Sequence, residues 1–198
     1  MNVSRFLWPC YLLSASAFGD GANVATLHKS ALERSTGITE INIASGNSSA
    51  QSNGVAIAVS RGGPAIAHVA SEQIIEEESG DDSENHALSL IESGAISNST
   101  GIVMLNQSSG EGNAQINGIA IALGIEGDAI ADNELDQSVS NPELSSGGLD
   151  APDATHSLSM EAGAIQNGQG VIQVNQAAGS WNATANSFAL RISGAANP

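Results

Sequence analysis

The stretch GIVMLNQSSGEGNAQINGIAIAL, Gly101 to Leu123, reads as two strands around a loop of small residues. Gly101 to Gln107 is apolar and β-branched and ends in the polar pair Asn106-Gln107. Ser108 to Gly112 has the small residues of a loop. From Asn113 to Ile116 polar and apolar residues alternate with period two, the mark of a half-buried strand. The parity then changes, because polar Asn113, Gln115 and Asn117 give way to apolar Ile119, Ile121 and Leu123. An Asn-Gly pair takes positive φ readily, so a corner is expected at Asn117-Gly118.

Two further stretches align with it without a gap: GITEINIASGNSSAQSNGVAIAV, Gly37 to Val59, and GVIQVNQAAGSWNATANSFALRI, Gly170 to Ile192. The first two agree at 12 of 23 positions and the last two at 8 of 23, so the chain repeats itself. Six columns are identical throughout: Gly37/Gly101/Gly170, Asn42/Asn106/Asn175, Gly46/Gly110/Gly179, Ala50/Ala114/Ala183, Asn53/Asn117/Asn186 and Ala56/Ala120/Ala189. Similarity extends upstream between Ile91–Ile96 and Met160–Ile165, which gives a unit of roughly 33 residues. On this reading the repeats span 27–59, 91–123 and 160–193.

Each unit can close as a hairpin or as a β-arch, whose strands pair with the next unit instead of with each other. The columns favour the arch. Stacked in register, they become ladders of like residues about 4.8 Å apart. Asn42, Asn106 and Asn175 then bond amide to amide, the Ala and aliphatic columns interdigitate in a dry interior, and the glycines permit the turns. Stacked like charges would repel, and the windows hold only Glu40, Glu111 and Arg191, each in a different column. The fold class expected is all-β, a three-rung β-arch or β-solenoid stack.

Between the windows the composition inverts. Of the 21 acidic residues, 15 fall in the two linkers, 60–90 and 124–159, with Pro64, Pro142 and Pro152 beside them. These read as hydrated, mutually repelling coils. The net charge of −16, from 5 Lys+Arg against 21 Asp+Glu, excludes a nucleic-acid-binding surface. Aromatic residues are only 3%, too few for the large-residue core of a compact enzyme. Near the N-terminus, Arg5, the apolar run Phe6–Leu13 and Ala15-Ser16-Ala17 read as a signal peptide over residues 1–19, cleaved after Ala17 or Gly19. Residues 194–198 form a tail. No apolar stretch reaches the roughly 18 residues of a membrane span.

Chemistry finds no foothold. Cys10 is the single cysteine, which excludes an intramolecular disulfide or a CxxC pair. His28, His68, His86 and His156 lie in or near the linkers without ligand spacing, and no GxSxG elbow occurs. Glu76-Glu77-Glu78 and Asp81-Asp82 lack any calcium-loop spacing. Trp181 could stack on a sugar, though a single tryptophan more often packs in a loop. No catalytic, cofactor or metal site is expected, and the candidate functional residues are the invariant ladders.

The segments Ile41-Asn42-Ile43-Ala44-Ser45-Gly46, Leu105-Asn106-Gln107-Ser108-Ser109-Gly110 and Val174-Asn175-Gln176-Ala177-Ala178-Gly179 resemble the repeats of Fap-type functional amyloid subunits. The plan of three repeats, two variable linkers and a preceding export signal is similar too. The resemblance implies a secreted subunit that polymerises with itself and with other fibril subunits in a biofilm matrix, after passage through an outer-membrane export machinery. The C-terminal CxxC associated with the major subunit is missing, which leaves a minor or nucleating subunit open.

Elementary physics also points to polymerisation. A three-rung stack leaves unpaired strand edges at both ends, and no polar cap is evident. A monomeric β-solenoid adhesin or surface-binding module is the alternative, and it should carry a flat row such as repeated Thr-x-Thr, which is absent. A β-helix enzyme on polysaccharide would need clustered carboxylates within the rungs.

Overall fold

The computed structural model describes residues 14–18, 22–76, 86–140 and 155–194, and these contain strands and turns but no helix. In chain order the strands are β1 (Ser14–Phe18), β2 (Ala22–Leu27), β3 (Leu32–Glu33), β4 (Thr36–Ser45), β5 (Ala50–Ser60), β6 (Ala65–Glu76), β7 (His86–Ile91), β8 (Ile96–Ser97), β9 (Thr100–Ser109), β10 (Ala114–Gly124), β11 (Ala129–Ser140), β12 (His156–Met160), β13 (Ile165–Gln166), β14 (Gln169–Ala178) and β15 (Ala183–Ser193). They form three rungs: β2–β6, β7–β11 and β12–β15.

Every strand of a rung pairs in parallel with its counterpart above or below, and never with its neighbour in the same rung. The sheets run β2-β7-β12, β3-β8-β13, β4-β9-β14, β5-β10-β15 and β6-β11, with β1 added antiparallel to the outer edge of β2. This is the stack of β-arches expected. Corresponding residues lie 64 apart between rungs one and two and 69 apart between rungs two and three, as in Asn53/Asn117/Asn186. Each rung thus extends well beyond the 33-residue window.

Within a rung the chain winds back and forth through four layers. The face of β9 bearing Val103 and Leu105 packs on Leu27, Ile91 and Ile96 of the first layer. Its other face, Ile102 and Met104, meets Ile119 of β10. The far face of β10, Ala120 and Ala122, packs on Ala65, Ala67, Val69 and Ala129 of the outermost layer. The small Ala columns let those two sheets approach closely. Covered on four sides, the two central strands of the middle rung, β9 and β10, are almost wholly buried: Met104, Leu105, Ile116 and Ile119 are all at 0% exposure. Burying each such side chain contributes about 1.5–3 kcal/mol.

The structure corrects three expectations. The linkers 60–90 and 124–159 are not coil throughout. β6 and most of β7 lie in the first, and β11 and most of β12 in the second. The acids of β6 and β11 conceal a period-two pattern. Ala65, Ala67, Val69, Gln73 and Ile75 point inward, while Glu72 and Glu76 point to solvent. Along β11, Asp132, Glu134 and Asp136 face outward in the same way. Counting acids along the chain hides this alternation. The remaining linker segments, 77–85 and 141–154, lie outside the described residues.

Second, no corner forms at Asn117-Gly118, and β10 runs straight through it. The odd positions of β10 stay on one face throughout. That face is lined by amides at Asn113, Gln115 and Asn117 and by hydrocarbon at Ile119 and Ile121 because the layer it enters changes from polar to dry. Gly118 belongs on the opposite face, where the absent side chain makes room for Leu135 of β11.

Third, the invariant alanine columns are not dry along their whole height. Contrary to the expectation of a buried ladder residue, Ala189 is exposed within the subunit, and so is Ala183. Ala114 and Ala120 on the middle rung are buried, and Ala50 and Ala56 on rung one are half-buried. The reason is position in the stack. The outermost layer contains only β6 and β11 among the described residues, so β15 has no outer strand of its own rung to cover Ala189, and no rung lies above it.

Of the expected signal peptide, Ser14–Phe18 form β1, with Ala15-Ser16-Ala17 inside it. The rest of 1–19, and 195–198 of the tail, fall outside the described residues.

Candidate functional site

The layer between β4-β9-β14 and β5-β10-β15 contains a double amide ladder. In each rung the two asparagines face each other across the arch. Asn53 Nδ2 donates to Asn42 Oδ1 at 2.9 Å, Asn117 to Asn106 at 2.9 Å and Asn186 to Asn175 at 2.8 Å. Between rungs, Asn106 Nδ2 donates to Asn42 Oδ1 at 3.0 Å and Asn175 to Asn106 at 3.1 Å. The facing column repeats this, Asn117 to Asn53 at 2.9 Å and Asn186 to Asn117 at 3.1 Å. Main-chain carbonyls of the opposite strand accept from the same amides, as Ser52 O does from Asn106 at 2.8 Å and Ile116 O from Asn175 at 2.8 Å.

The Asn42/Asn106/Asn175 and Asn53/Asn117/Asn186 columns are therefore one network. An eleven-residue Asn–Asn spacing, recurring three times, was the sequence signal for it. Asn106 and Asn117 are at 0% exposure, so each unmade bond would cost a desolvated polar group. In all four inter-rung Asn–Asn bonds just given the higher rung donates and the lower accepts. The ladder has a direction.

The other invariant columns have steric roles. Gly46, Gly110 and Gly179 sit at the end of the first arch strand with φ of +113°, +113° and +103°. A Cβ on Gly110 would strike the carbonyl of Gly179, and one on Gly46 that of Gly110. Only glycine satisfies both the dihedral and the contact. Ala50/Ala114/Ala183 begin the second arch strand. Ala56/Ala120/Ala189 lie in its middle, on the face turned to the outermost layer, where Ala120 is buried and Ala189 is not.

At the first turn of each rung a different device recurs. The Glu92 carboxylate accepts from the main-chain N–H of Lys29 at 2.8 Å and lies 3.2 Å from His28 Nδ1. One rung up, Glu161 accepts from Ser93 N–H at 2.8 Å. The Lys29 bond, followed by the His28 contact, holds the Glu92 carboxyl below the usual carboxylate range.

His68 lies 3.8 Å from Asp132, and His86 bonds Thr155. Among the described residues no three His, Cys, Asp or Glu side chains gather as a metal would require. Trp181 occupies a turn with φ +61°, its ring against Gly112 of the rung below.

The ends of the stack differ from its middle. Ile38, Ile57 and Val59 on rung one are 51%, 52% and 63% exposed, as are Leu190 and Ile192 on rung three at 38% and 49%. In the middle rung the counterpart of Ile38, Ile102, is at 8%, while Ile121 and Leu123, the counterparts of the others, are half-buried. These apolar columns are more exposed at the ends of the stack than in its middle, and the exposure of Ala189 belongs to the same pattern.

A family model described as functional amyloid protein FapB/FapC matches residues 13–193, nearly the whole chain. No solved structure matches.

Proposed function

The chain belongs to the functional amyloid protein FapB/FapC family, and on that premise we propose that it is an exported fibril subunit whose copies stack rung three to rung one. The resemblance read from the repeats is thereby upheld, and the family is one of structural amyloid subunits, not of enzymes. The observation that carries the stacking is the emergence of the ladder and the apolar columns at both ends. Rung three presents the acceptor oxygens Asn175 Oδ1 and Asn186 Oδ1, and rung one presents the amides of Asn42 and Asn53. A second copy in the same register continues every column at the spacing already used inside the subunit.

Such a head-to-tail contact is heterologous and does not close, so it propagates into a fibre. Removal of the export signal 1–19 takes β1 away and opens the β2 edge to the neighbour. The acidic outer face keeps neighbouring fibres apart in an extracellular, biofilm-type matrix. X-ray diffraction of fibres grown from protein lacking residues 1–19 tests this. A meridional reflection near 4.8 Å, with strands perpendicular to the axis, is expected. A protein that stays monomeric at high concentration, or fibres with antiparallel strands, would refute it.

A further inference from the structure

Resting on the stacking of rung three against rung one, we propose that the Glu40 carboxyl is a proton-controlled element of the subunit junction, entering the fibre in protonated form above Gln173 of the neighbouring copy. Glu40 shares its column with Met104 and Gln173. The column faces the inter-sheet layer, on the same side of the arch as the Asn ladder. Within the described subunit Met104 is at 0% exposure and Gln173 at 8%, whereas Glu40 is exposed on the end rung. Adding a copy below rung one converts the Glu40 position into an interior one.

The groups that would surround it are all uncharged. From its own strand come Ile38 and Asn42. From β5 come Asn53, Val55 and Ile57, and from β9 above comes Met104. From the neighbouring copy come Val171 and Gln173 of β14 and Phe188 of β15. Arg191 projects from the opposite face of β15, toward the outermost layer, and the acids of β6 lie beyond β5 on the solvent side. Among the described residues, Glu40 is thus the one charged residue entering this layer from any of the three rungs.

Two features of rung three fit a carboxylic acid. An open recess of about 380 Å³ lies between β14 and β15, lined by Val171, Gln173, Val174, Asn186 and Phe188. The Gln173 side chain lines this recess, and its Oε1, closed to solvent, has no hydrogen-bond donor within the subunit. A protonated Glu40 stacked there supplies an O–H to that oxygen. An ionised one places a carboxylate among hydrocarbon with no cation to pair it. Burial already raises the Glu40 carboxyl above its ordinary value in the open end rung, and closing the junction removes more water.

The sign follows from linkage. A carboxyl whose proton affinity rises on assembly favours the fibre at low pH. Its contribution is full below the ordinary carboxylate value and declines as pH rises toward the value in the fibre. Each tenfold gain in proton affinity then raises the soluble subunit concentration at neutral pH about tenfold.

The experiment measures soluble subunit left at equilibrium with seeded fibres between pH 4 and 7, using the chain without residues 1–19. Four proteins are compared: wild type, Glu40→Gln, Glu40→Met, which copies the mid-rung residue, and Glu72→Gln on the outer face. The wild-type concentration should rise tenfold or more across this range. Glu40→Gln and Glu40→Met should lie at least about tenfold below wild type at pH 7 and converge with it near pH 4, while Glu72→Gln keeps most of the wild-type slope. Fibres whose pH dependence is unchanged in both Glu40 variants overturn the inference but not the stacking. Failure of the wild type to form fibres overturns both.

Discussion

Replacing Asn106 by Asp changes one nitrogen to oxygen at the centre of the amide ladder. The Asn106 Nδ2 group serves three acceptors, Asn42 Oδ1 at 3.0 Å, Ser52 O at 2.8 Å and Asn53 Oδ1 at 3.0 Å. Asp removes those donors and turns a second oxygen toward the acceptors they served. The three lost bonds cost about 1 kcal/mol each, and the desolvated acceptors and buried charge together add at least about 1 kcal/mol more, for a total of at least about 4 kcal/mol. Because folding of the rung and fibre growth are coupled, this loss appears in the soluble concentration at equilibrium, raised roughly a thousandfold at pH 7. The retained oxygen still accepts from Asn117 and Asn175, and protonation near pH 4 restores one donor, so recovery there is partial. Asn47→Asp adds the same charge in an exposed turn and should shift the value less than threefold. Thioflavin fluorescence with sedimentation of the product supplies the measurement. An Asn106→Asp protein within tenfold of wild type at pH 7 would refute the ladder as the source of cohesion.

Gly110→Ala forces a side chain into φ +113° against the Gly179 carbonyl, and fibre yield by sedimentation should fall below a tenth of wild type. Glu92→Gln bears on acid stability. The Glu92 carboxyl is held low by the Lys29 N–H and then by His28, so its contribution exists above the ordinary carboxylate value and fades as pH drops through its depressed one. The variant should dissolve at lower denaturant than wild type at pH 7 and at the same denaturant at pH 2. Glu72 and Asp136 share a column on the outer face, so Glu72→Gln with Asp136→Asn should reduce the acceleration of growth by salt, followed between 20 and 500 mM NaCl.

Much of this architecture was legible because identity between rungs is itself a physical requirement. Glycine at Gly46, Gly110 and Gly179 is the residue that permits stacked left-handed turns, and asparagine bonds to itself along a ladder. Identity does not report burial, however. Ala189 matches Ala120 in type and column, yet Ala120 is covered and Ala189 is exposed, because cover depends on the layer outside the strand. The outermost sheet, β6-β11, was not legible. Strands β6 and β11 are identical over Ala65-Ile66-Ala67 and Ala129-Ile130-Ala131 but beyond that only at Gln73/Gln137, and most outward residues differ. Their acids suggested hydrated coil, although the inward alternation from Ala65 to Ile75 was present. The false corner at Asn117-Gly118 has a related cause. A parity change normally marks a strand changing faces, but β10 is covered on both sides, and polarity along it reports which layer each residue enters.

The columns that vary have a role the invariant ones cannot fill. Ladders of identical asparagine, glycine and alanine are satisfied by any rung placed on any other, so they supply cohesion but not register between copies. Register has to come from columns such as Glu40/Met104/Gln173 and Val55/Ile119/Phe188, where each rung differs, and Ala58/Ala122/Arg191, where rung three departs. The correct junction alone brings the carboxyl to the amide oxygen. Specificity thus resides in the few positions that break the repeat, and the proton on Glu40 ties that specificity to the acidity of the surroundings.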